Sequence, residues 1–354
     1  MGASLRPTLK DVAQAAGVSI TTVSVVLNEK REGIRVAEGT RDRVRRAADE
    51  LGYRPNQMAR GLRRRSSGAI GFLSDRVTTT PFAVAMLAAA QEVAAQHGHP
   101  LFIVSIADEE GKLCLDQATE QLVEHQVSTF VVAAMYHRPV EPVEGLPAST
   151  VFVNSFATEG PYRSIVPDER GAAYTAVAEL LGLGHRRIAY LDDNTGAVAS
   201  GLRLQGYLDA HRDYGVAPDP RLHVQVPSSV RGGMFGGELI DLPEQVRPTA
   251  VFCFNDRTAM GLYRAARVRG LRVPDDLSVI GFDDQDYIAS ELDPPLTTMR
   301  LPHAEMGRLA IEAVLELEPS DAGWVSDGRD GTIARIACPL VRRGSAIDIG
   351  QGKR

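Results

Sequence analysis

Between Thr8 and Asn28 the chain reads TLKDVAQAAGVSITTVSVVLN, and its apolar positions fall into two short helical stripes. Leu9, Val12, Ala13 and Ala16 recur three or four residues apart, as the buried face of a helix does. Thr8 stands where an N-cap belongs, and Asp11 follows three residues on, within reach of the positive helix end. Gly17 is able to take the left-handed conformation that ends such a helix. Ser19 is the next natural N-cap, and Val23, Val26 and Leu27 give a second helix its own apolar face. Ile20, Thr21, Thr22, Ser24 and Val25 are left for the outward face. A short helix held across another by a tight turn fits the DNA major groove, with its N-terminal residues at the base edges. An ordinary helical hairpin fits the same pattern. A third helical pattern covers 37–52, with Val44, Ala48 and Leu51 on one side and Arg41, Arg45 and Arg46 mostly elsewhere. Gly52 closes it and Pro55 blocks its continuation.

From residue 68 the period changes. GAIGFLS, LFIVSI, TFVVAAM, STVFVN, RIAYLD, TAVFCFN and LSVIGFD are short apolar runs of the kind expected for buried parallel strands. Helical stretches lie between or after them at 82–97, 115–126, 169–182, 201–214 and 257–270. This alternation predicts a doubly wound α/β fold, whose ligands sit at the carboxyl ends of the strands.

Charge separates the same two regions. The first 66 residues carry fourteen Lys and Arg against seven Asp and Glu, a net of +7. The whole chain is −6, so the remainder is −13. A basic head on an acidic body suits phosphate contact by one end only, with binding that weakens as salt rises. The 354 residues allow two or three domains, and 44% apolar residues suffice for a sizeable core. The segment MGASLRPTLK has no signal-peptide core and no run approaches the length of a membrane span, so a cytoplasmic protein without membrane contact is expected. Arg6 breaks the myristoylation motif that Met-Gly invites. Cys114, Cys253 and Cys338 are widely spaced, without a CxxC pair, and are expected as buried small side chains and not as metal ligands. The chain contains no GxxxxGK[ST], no GxSxG and no GxGxxG after the first strand, which argues against an enzyme. No cofactor is expected. His97, His99 and His185 sit in turn or connecting segments and read as structural.

The segments TLKDVAQAAGVSITTVSVVLN, TRDRVRRAADELGYRPNQMARGLR, LGLGHRRIAYL, FNDRTAMGLYRAARVRGLRVPDDLSVIGFDD and DPPLTTMR resemble, in this order, the lactose-repressor (LacI/GalR) family of bacterial transcription regulators. The resemblance covers nearly the whole chain. It implies a small all-α helix-turn-helix head at 1–55, a hinge helix and linker at 56–67, and an α/β body at 68–345. That body is similar to periplasmic sugar-binding proteins, with two doubly wound parallel-sheet subdomains at about 68–164 with 298–327, and about 165–296 with 328–345. The chain would cross between them near 165, 297 and 328. The function implied is a dimeric repressor that binds double-stranded operator DNA under control of a small-molecule effector in the cleft. A sugar is the family's usual effector, while some relatives bind purines, nucleosides or phosphorylated sugars. Whether the effector releases or promotes DNA binding stays open. A transport-system solute-binding protein would share the body but not the basic head.

The resemblance also assigns residues. Ile20, Thr21 and Val25 match the base-reading positions of the recognition helix. Val25 replaces a side chain that is commonly Arg in the family, so a bidentate guanine contact is lost there, and Ile20 and Val25 suit thymine methyl groups instead. Thr8, Ser19, Thr22, Asn28, Tyr53 and Asn56 are the expected phosphate contacts. Residues 56–64, NQMARGLRR, match the hinge helix, with Ala59 and Leu62 at the minor groove and Leu62 as the wedge. Gly61 before Leu62 costs about 1 kcal/mol of helix propensity, making this hinge depend more on DNA for its order. For the effector, Arg203, Asn255 and Asp283 match cleft positions, with Phe82, Tyr136, Asn154 and Asp168 as further candidates from facing segments. Strand-end Asp, Asn and Arg suit polyols because they offer fixed donors and acceptors to hydroxyls. Asn255 and Asp256 fit equally as caps of the helix that starts near 257.

Overall fold

Among the described residues the first of two units has three helices, α1 (Leu9–Ala16), α2 (Ile20–Asn28) and α3 (Glu38–Glu50). The computed structural model describes residues 7–28, 36–53, 67–75, 83–106, 114–317 and 323–350, and the chain divides into Met1–Ser67 and Gly68–Arg354. In α1 the capping box is complete: Asp11 N–H donates to Thr8 Oγ1 at 3.4 Å, and Thr8 N–H donates to the Asp11 carboxylate at 2.7 Å. These bonds satisfy two donors that the first helical turn would otherwise leave open. They also hold the Asp11 carboxyl below its ordinary value. Gly17 (φ 64°) ends α1, and Ser19 Oγ accepts from Thr22 N–H at 3.1 Å to start α2. Val12, Ala16, Val23, Val26, Val44 and Ala48 close the head's core. Leu51, expected on the apolar side of α3, is instead exposed. The helix has ended at Glu50, and the turn at Gly52 (φ 64°) brings Tyr53 into the core in its place.

The second unit contains two mostly parallel sheets. The first has the order β11-β12-β5-β4-β3-β1-β2. Its strands are β1 (Ile70–Ser74), β2 (Leu101–Ser105), β3 (Thr129–Val140), β4 (Val151–Ala157), β5 (Arg163–Pro167), β11 (Val325–Ser326) and β12 (Thr332–Ile336). The second has the order β13-β10-β9-β8-β6-β7. It comprises β6 (Ile188–Asp193), β7 (His223–Val226), β8 (Ala250–Cys253), β9 (Ser278–Asp283), β10 (Thr297–Arg300) and β13 (Leu340–Val341). Among the described residues only the edge strands β11 and β13 run antiparallel. Seven of these strands were legible as apolar runs. β5, β7 and β10 to β13 were not, being short and lacking a sustained apolar run.

Helices cover both sheets. In the first lobe α4 (Ala83–Gln96) and α9 (His303–Val314) cross so closely that a Cβ on Gly307 would stand 2.1 Å from the Met86 carbonyl. In the second lobe α6 (Glu169–Gly182) and α7 (Val198–Asp213) meet at Gly206, where a Cβ would stand 2.2 Å from the Arg170 carbonyl. The remaining long helices are α5 (Leu115–Glu124) and α8 (Asp256–Val268). Among the described residues no helix is long and apolar enough to cross a membrane.

The lobe crossings differ from the expected positions. β5 pairs in the first sheet as far as Pro167 and α6 packs in the second lobe, so the first crossing is at Asp168 rather than 165. β10 pairs with β9, and α9 then packs in the first lobe, which moves the second crossing from 297 to Leu301–Pro302. β12 stays in the first sheet to Ile336 and β13 joins the second, so the third lies at 337–339 and not near 328. Strand partnership is a long-range property, and four- or five-residue strands leave little local trace of it.

Candidate effector cavity and recognition helix

The carboxyl ends of the second sheet's strands face the first lobe across a cavity of ≈ 480 Å³, within the range of small-molecule sites. Residues 135–139 and Asn154 line it from the first lobe. Asp193, residues 195–199, Arg203, Asn255, Arg257 and Asp283 line it from the second, and Leu301 and His303 come from the second crossing.

Arg203 sits at its centre and is 3% exposed. Its Nε donates to Glu169 Oε2 at 2.7 Å, one Nη donates to the Phe254 carbonyl, and the other lies 3.9 Å from Asp283 Oδ1. The guanidinium is also sandwiched, 3.5 Å from the Phe282 ring centre and 4.5 Å from that of Phe254. Burial opposes its charge, but the Glu169 and Asp283 carboxylates outweigh burial and hold its pKa above the ordinary value. Asp283 ends β9 with φ 107°, a conformation costly for a non-glycine residue. Burial pushes its pKa up to about 6 even with Arg203 nearby. Behind it Asp256 is fully buried, accepting from Thr298 Oγ1 and Gln285 N–H at 2.6 Å each. Burial, then the Asp283 charge, raises its pKa to about 8.

Asn255 carries both roles weighed for it. It lines the cavity and caps α8, its Oδ1 accepting from Thr258 N–H at 2.8 Å while Nδ2 donates to Ser228 Oγ at 3.2 Å. Asn154 (φ 50°) and the half-exposed Tyr136 line the cavity as well. Asp168 does not. It caps α6 through Gly171 N–H at 3.0 Å and borders a neighbouring cavity of ≈ 370 Å³. Phe82 lies outside the described residues. His185 is structural: it bonds Thr249 Oγ1 at 2.9 Å and the Ile347 carbonyl at 3.2 Å, and burial lowers its pKa to about 4.

Sequence reasoning missed His137, Glu169, Asp193 and Arg257. Asp193 ends β6 as Asp283 ends β9, so the strand-end rule applied to one would have found the other. Glu169 and Arg257 stand in the first turn of helices that follow strands, where helix propensity alone explains them. His137 lies in an extension of β3 beyond its apolar run and gives no local signal.

In the head, Ile20 is half exposed and Thr21 exposed, so the first turn of α2 presents both. Thr8 and Ser19 are exposed at the helix caps, and Thr22 is partly exposed with its hydroxyl 2.9 Å from that of Ser19. Val25 departs from the expected outward face, being only 6% exposed. An apolar β-branched side chain gains by leaving water, and this one lies outside the head's core cluster. Tyr53 belongs to that core. Asn28 ends α2, while Asn56, Ala59 and Leu62 lie outside the described residues.

A capped helix-turn-helix joined to a two-lobed body with an interlobe cavity that carries charged side chains on an otherwise largely apolar wall defines a DNA-binding regulator of the ligand-responsive class. Residues 8–56 match the bacterial regulatory proteins of the lacI family, and residues 177–346 match a periplasmic binding protein-like domain. The ribose operon repressor of Haemophilus influenzae is 33% identical over 87% of this chain and 91% of its own length. The repressor CytR of Escherichia coli is 33% identical over 96% of each chain. The solved lac repressor dimer, bound to operator and the anti-inducer ONPF, superposes with a TM-score of 0.75 at 27% identity, covering 97% of this chain and 100% of that one. The chain belongs to the lacI family.

Proposed function

We propose that this protein is a homodimeric repressor whose operator affinity is set by a small polar effector bound between the lobes of the body. The observation that carries the reading is the presence, on one chain, of an exposed Ile20–Thr21 turn opening a recognition helix and an interlobe cavity built around Arg203. Ile20 and Thr21 read base edges, and the hydroxyls of Thr8, Ser19 and Thr22 with Asn28 and Asn56 take phosphates. Val25 is withdrawn from the reading set because of its burial. Residues 56–67 serve as the hinge, with Ala59 and Leu62 at the minor groove. Ribose and sucrose operon repressors among the relatives favour a hydroxylated effector. The test is selection of bound duplexes from a random pool, followed by competition with sugars and nucleosides. Enrichment of a palindrome whose binding one compound changes supports the reading. Salt-sensitive binding without enrichment refutes it. Leu62→Ala should weaken binding to the selected palindrome more than it weakens effector binding, and equal losses would remove Leu62 from the hinge role.

A further inference from the structure

Five buried side-chain atoms among the described residues have no hydrogen-bond partner, and three of them, His137 Nδ1, Asp193 Oδ1 and Arg257 Nε, belong to residues lining the interlobe cavity. Buried polar groups are ordinarily satisfied, so three unpaired atoms on residues around one cavity single out side chains that gain a partner when a small rotation turns them to an occupant. Their chemistry is specific. Arg203 is matched by Glu169 and Asp283, and Arg138 by Asp75 at 3.5 Å. Arg257 lines the same cavity and forms no ion pair among the described residues, although its charge is felt by Asp283. It is a guanidinium on the first turn of α8 with its Nε–H unused. Asp193 is the complementary case. Its Oδ2 accepts from both the N–H and the hydroxyl of Thr195, and its Oδ1 remains open. A carboxylate with one oxygen already doubly bonded needs a single further donor, which a hydroxyl supplies. The guanidinium offers charge and planar donors, which a carboxylate or phosphate matches. The opening turn of α7 adds to this. Val198 and Ala199 line the cavity, and no side chain caps their helix, so its N–H groups favour negative charge.

We propose that the effector is an anionic polyol, a hydroxylated compound carrying a carboxylate or phosphate, whose acidic group pairs with Arg257 and one of whose hydroxyls donates to Asp193. This rests on the reading of the cavity as the effector site. His137, 7% exposed with Nδ1 3.9 Å from Glu169 Oε1, faces the ligand from the first lobe. Burial holds its imidazole neutral, so it adds a hydrogen bond and no charge.

The experiment uses the full chain and two readouts. In the first, thermal unfolding is followed as inorganic phosphate replaces chloride at constant ionic strength. The melting temperature should rise for the parent protein, and clearly less for Arg257→Gln. In the second, calorimetry compares D-gluconate and glucose 6-phosphate with D-glucose. One of the acids should bind at least roughly tenfold more tightly than the neutral sugar, and Arg257→Gln should remove about that factor, the range of a charged hydrogen bond. Which acid wins distinguishes carboxylate from phosphate. Arg257→Lys should retain part of the preference, and Asp193→Asn should weaken the winning acid more than inorganic phosphate. Equal phosphate shifts in both proteins, or none in either, would overturn the proposal, as would an unchanged acid-to-sugar ratio in Arg257→Gln. Tighter binding of glucose or of a nucleoside would overturn the acidic effector while leaving the cavity reading intact. An amino acid such as serine outcompeting both acids would put an ammonium at Asp193 and overturn the polyol assignment.

Discussion

Removing the Arg203 side chain should destabilise the body as well as alter the effector site. Arg203 and Glu169 are an almost fully buried pair, their side chains 4% and 2% exposed, joined at 2.7 Å. Arg203→Met keeps much of the volume but leaves the Glu169 carboxylate in a low-dielectric site without its partner. Breaking such a pair from one side costs about 3–5 kcal/mol. Loss of the bond to the Phe254 carbonyl and of the stacking on Phe282 act in the same direction, though these are not additive with the charge term. For a body of this size the cost corresponds to a fall in melting temperature on the order of 10 °C. Urea unfolding of the full chain at pH 7 measures it. Adding Glu169→Leu to Arg203→Met removes the orphaned charge, and the double variant should recover about 2 kcal/mol or more, because an apolar pair of similar volume is often as stable as a buried ion pair. A loss below about 1 kcal/mol for Arg203→Met, or a double variant as unstable as the summed singles, would refute the argument. The practical consequence is that Arg203→Ala, the obvious probe of effector binding, confounds binding with folding. Arg257 and Asp193 are cleaner probes.

The body should lose stability as pH rises from about 6.5 to about 8. Asp256 has its folded pKa raised to about 8, so the folded state holds its proton where the unfolded state has released it. His185 and His303, lowered to about 4 by burial, act only below about pH 6.5, where they make stability rise with pH. Thermal unfolding across that window should therefore slope downward, and Asp256→Asn should flatten it; a parental curve that is flat or rising there defeats the assignment. Gly206→Ala should destabilise the body by more than about 2 kcal/mol despite alanine's better helix propensity, because its Cβ would meet the Arg170 carbonyl at 2.2 Å. A neutral or stabilised variant in denaturant melts would show that α6 and α7 separate at little cost. Thr8→Ala should cost the head about 1 kcal/mol by removing its cap, seen as faster amide exchange over residues 9–16 in the full chain. Unchanged exchange there would mean that tertiary packing alone holds α1.

Legibility in the sequence followed the range of the interactions. The head was readable almost residue by residue because its determinants are local: Thr8 to Asp11, Gly17, and Ser19 to Thr22 all act within a single turn. Leu51 and Val25 were misplaced because burial depends on where a helix stops and on what covers it, and a stripe drawn on a wheel contains neither. Central strands announced themselves as apolar runs. The partners of β5, β10 and β12 did not, so the lobe crossings were drawn three to about ten residues early. In the cavity Arg203, Asn255 and Asp283 came from family resemblance joined to the strand-end rule. Asp193 escaped because the strand-end rule was not carried to β6, and Arg257 because its significance is a missing partner, which no sequence pattern records.

The cavity's composition bears directly on how a ligand could move the lobes. A ligand shifts an equilibrium only by its difference in affinity for the two states, so one that touched a single lobe would bind at every interlobe angle and change nothing. A hundredfold change in operator affinity requires about 2.7 kcal/mol of such difference, roughly two or three hydrogen bonds made in one arrangement and lost in the other. The walls divide suitably. Asp193 and Arg257 belong to the second lobe, His137 and Asn154 to the first, and Glu169, Leu301 and His303 sit beside the crossings. Second-lobe contacts can hold the ligand at any angle, so the switching difference must come from the first-lobe wall. His137→Phe should accordingly bring the ratio of operator affinities with and without effector closer to one than the change in effector affinity alone would account for. Fluorescence titration of labelled operator at saturating effector measures that ratio. A ratio that follows effector affinity, with no further loss, would place the switch elsewhere than the His137 wall.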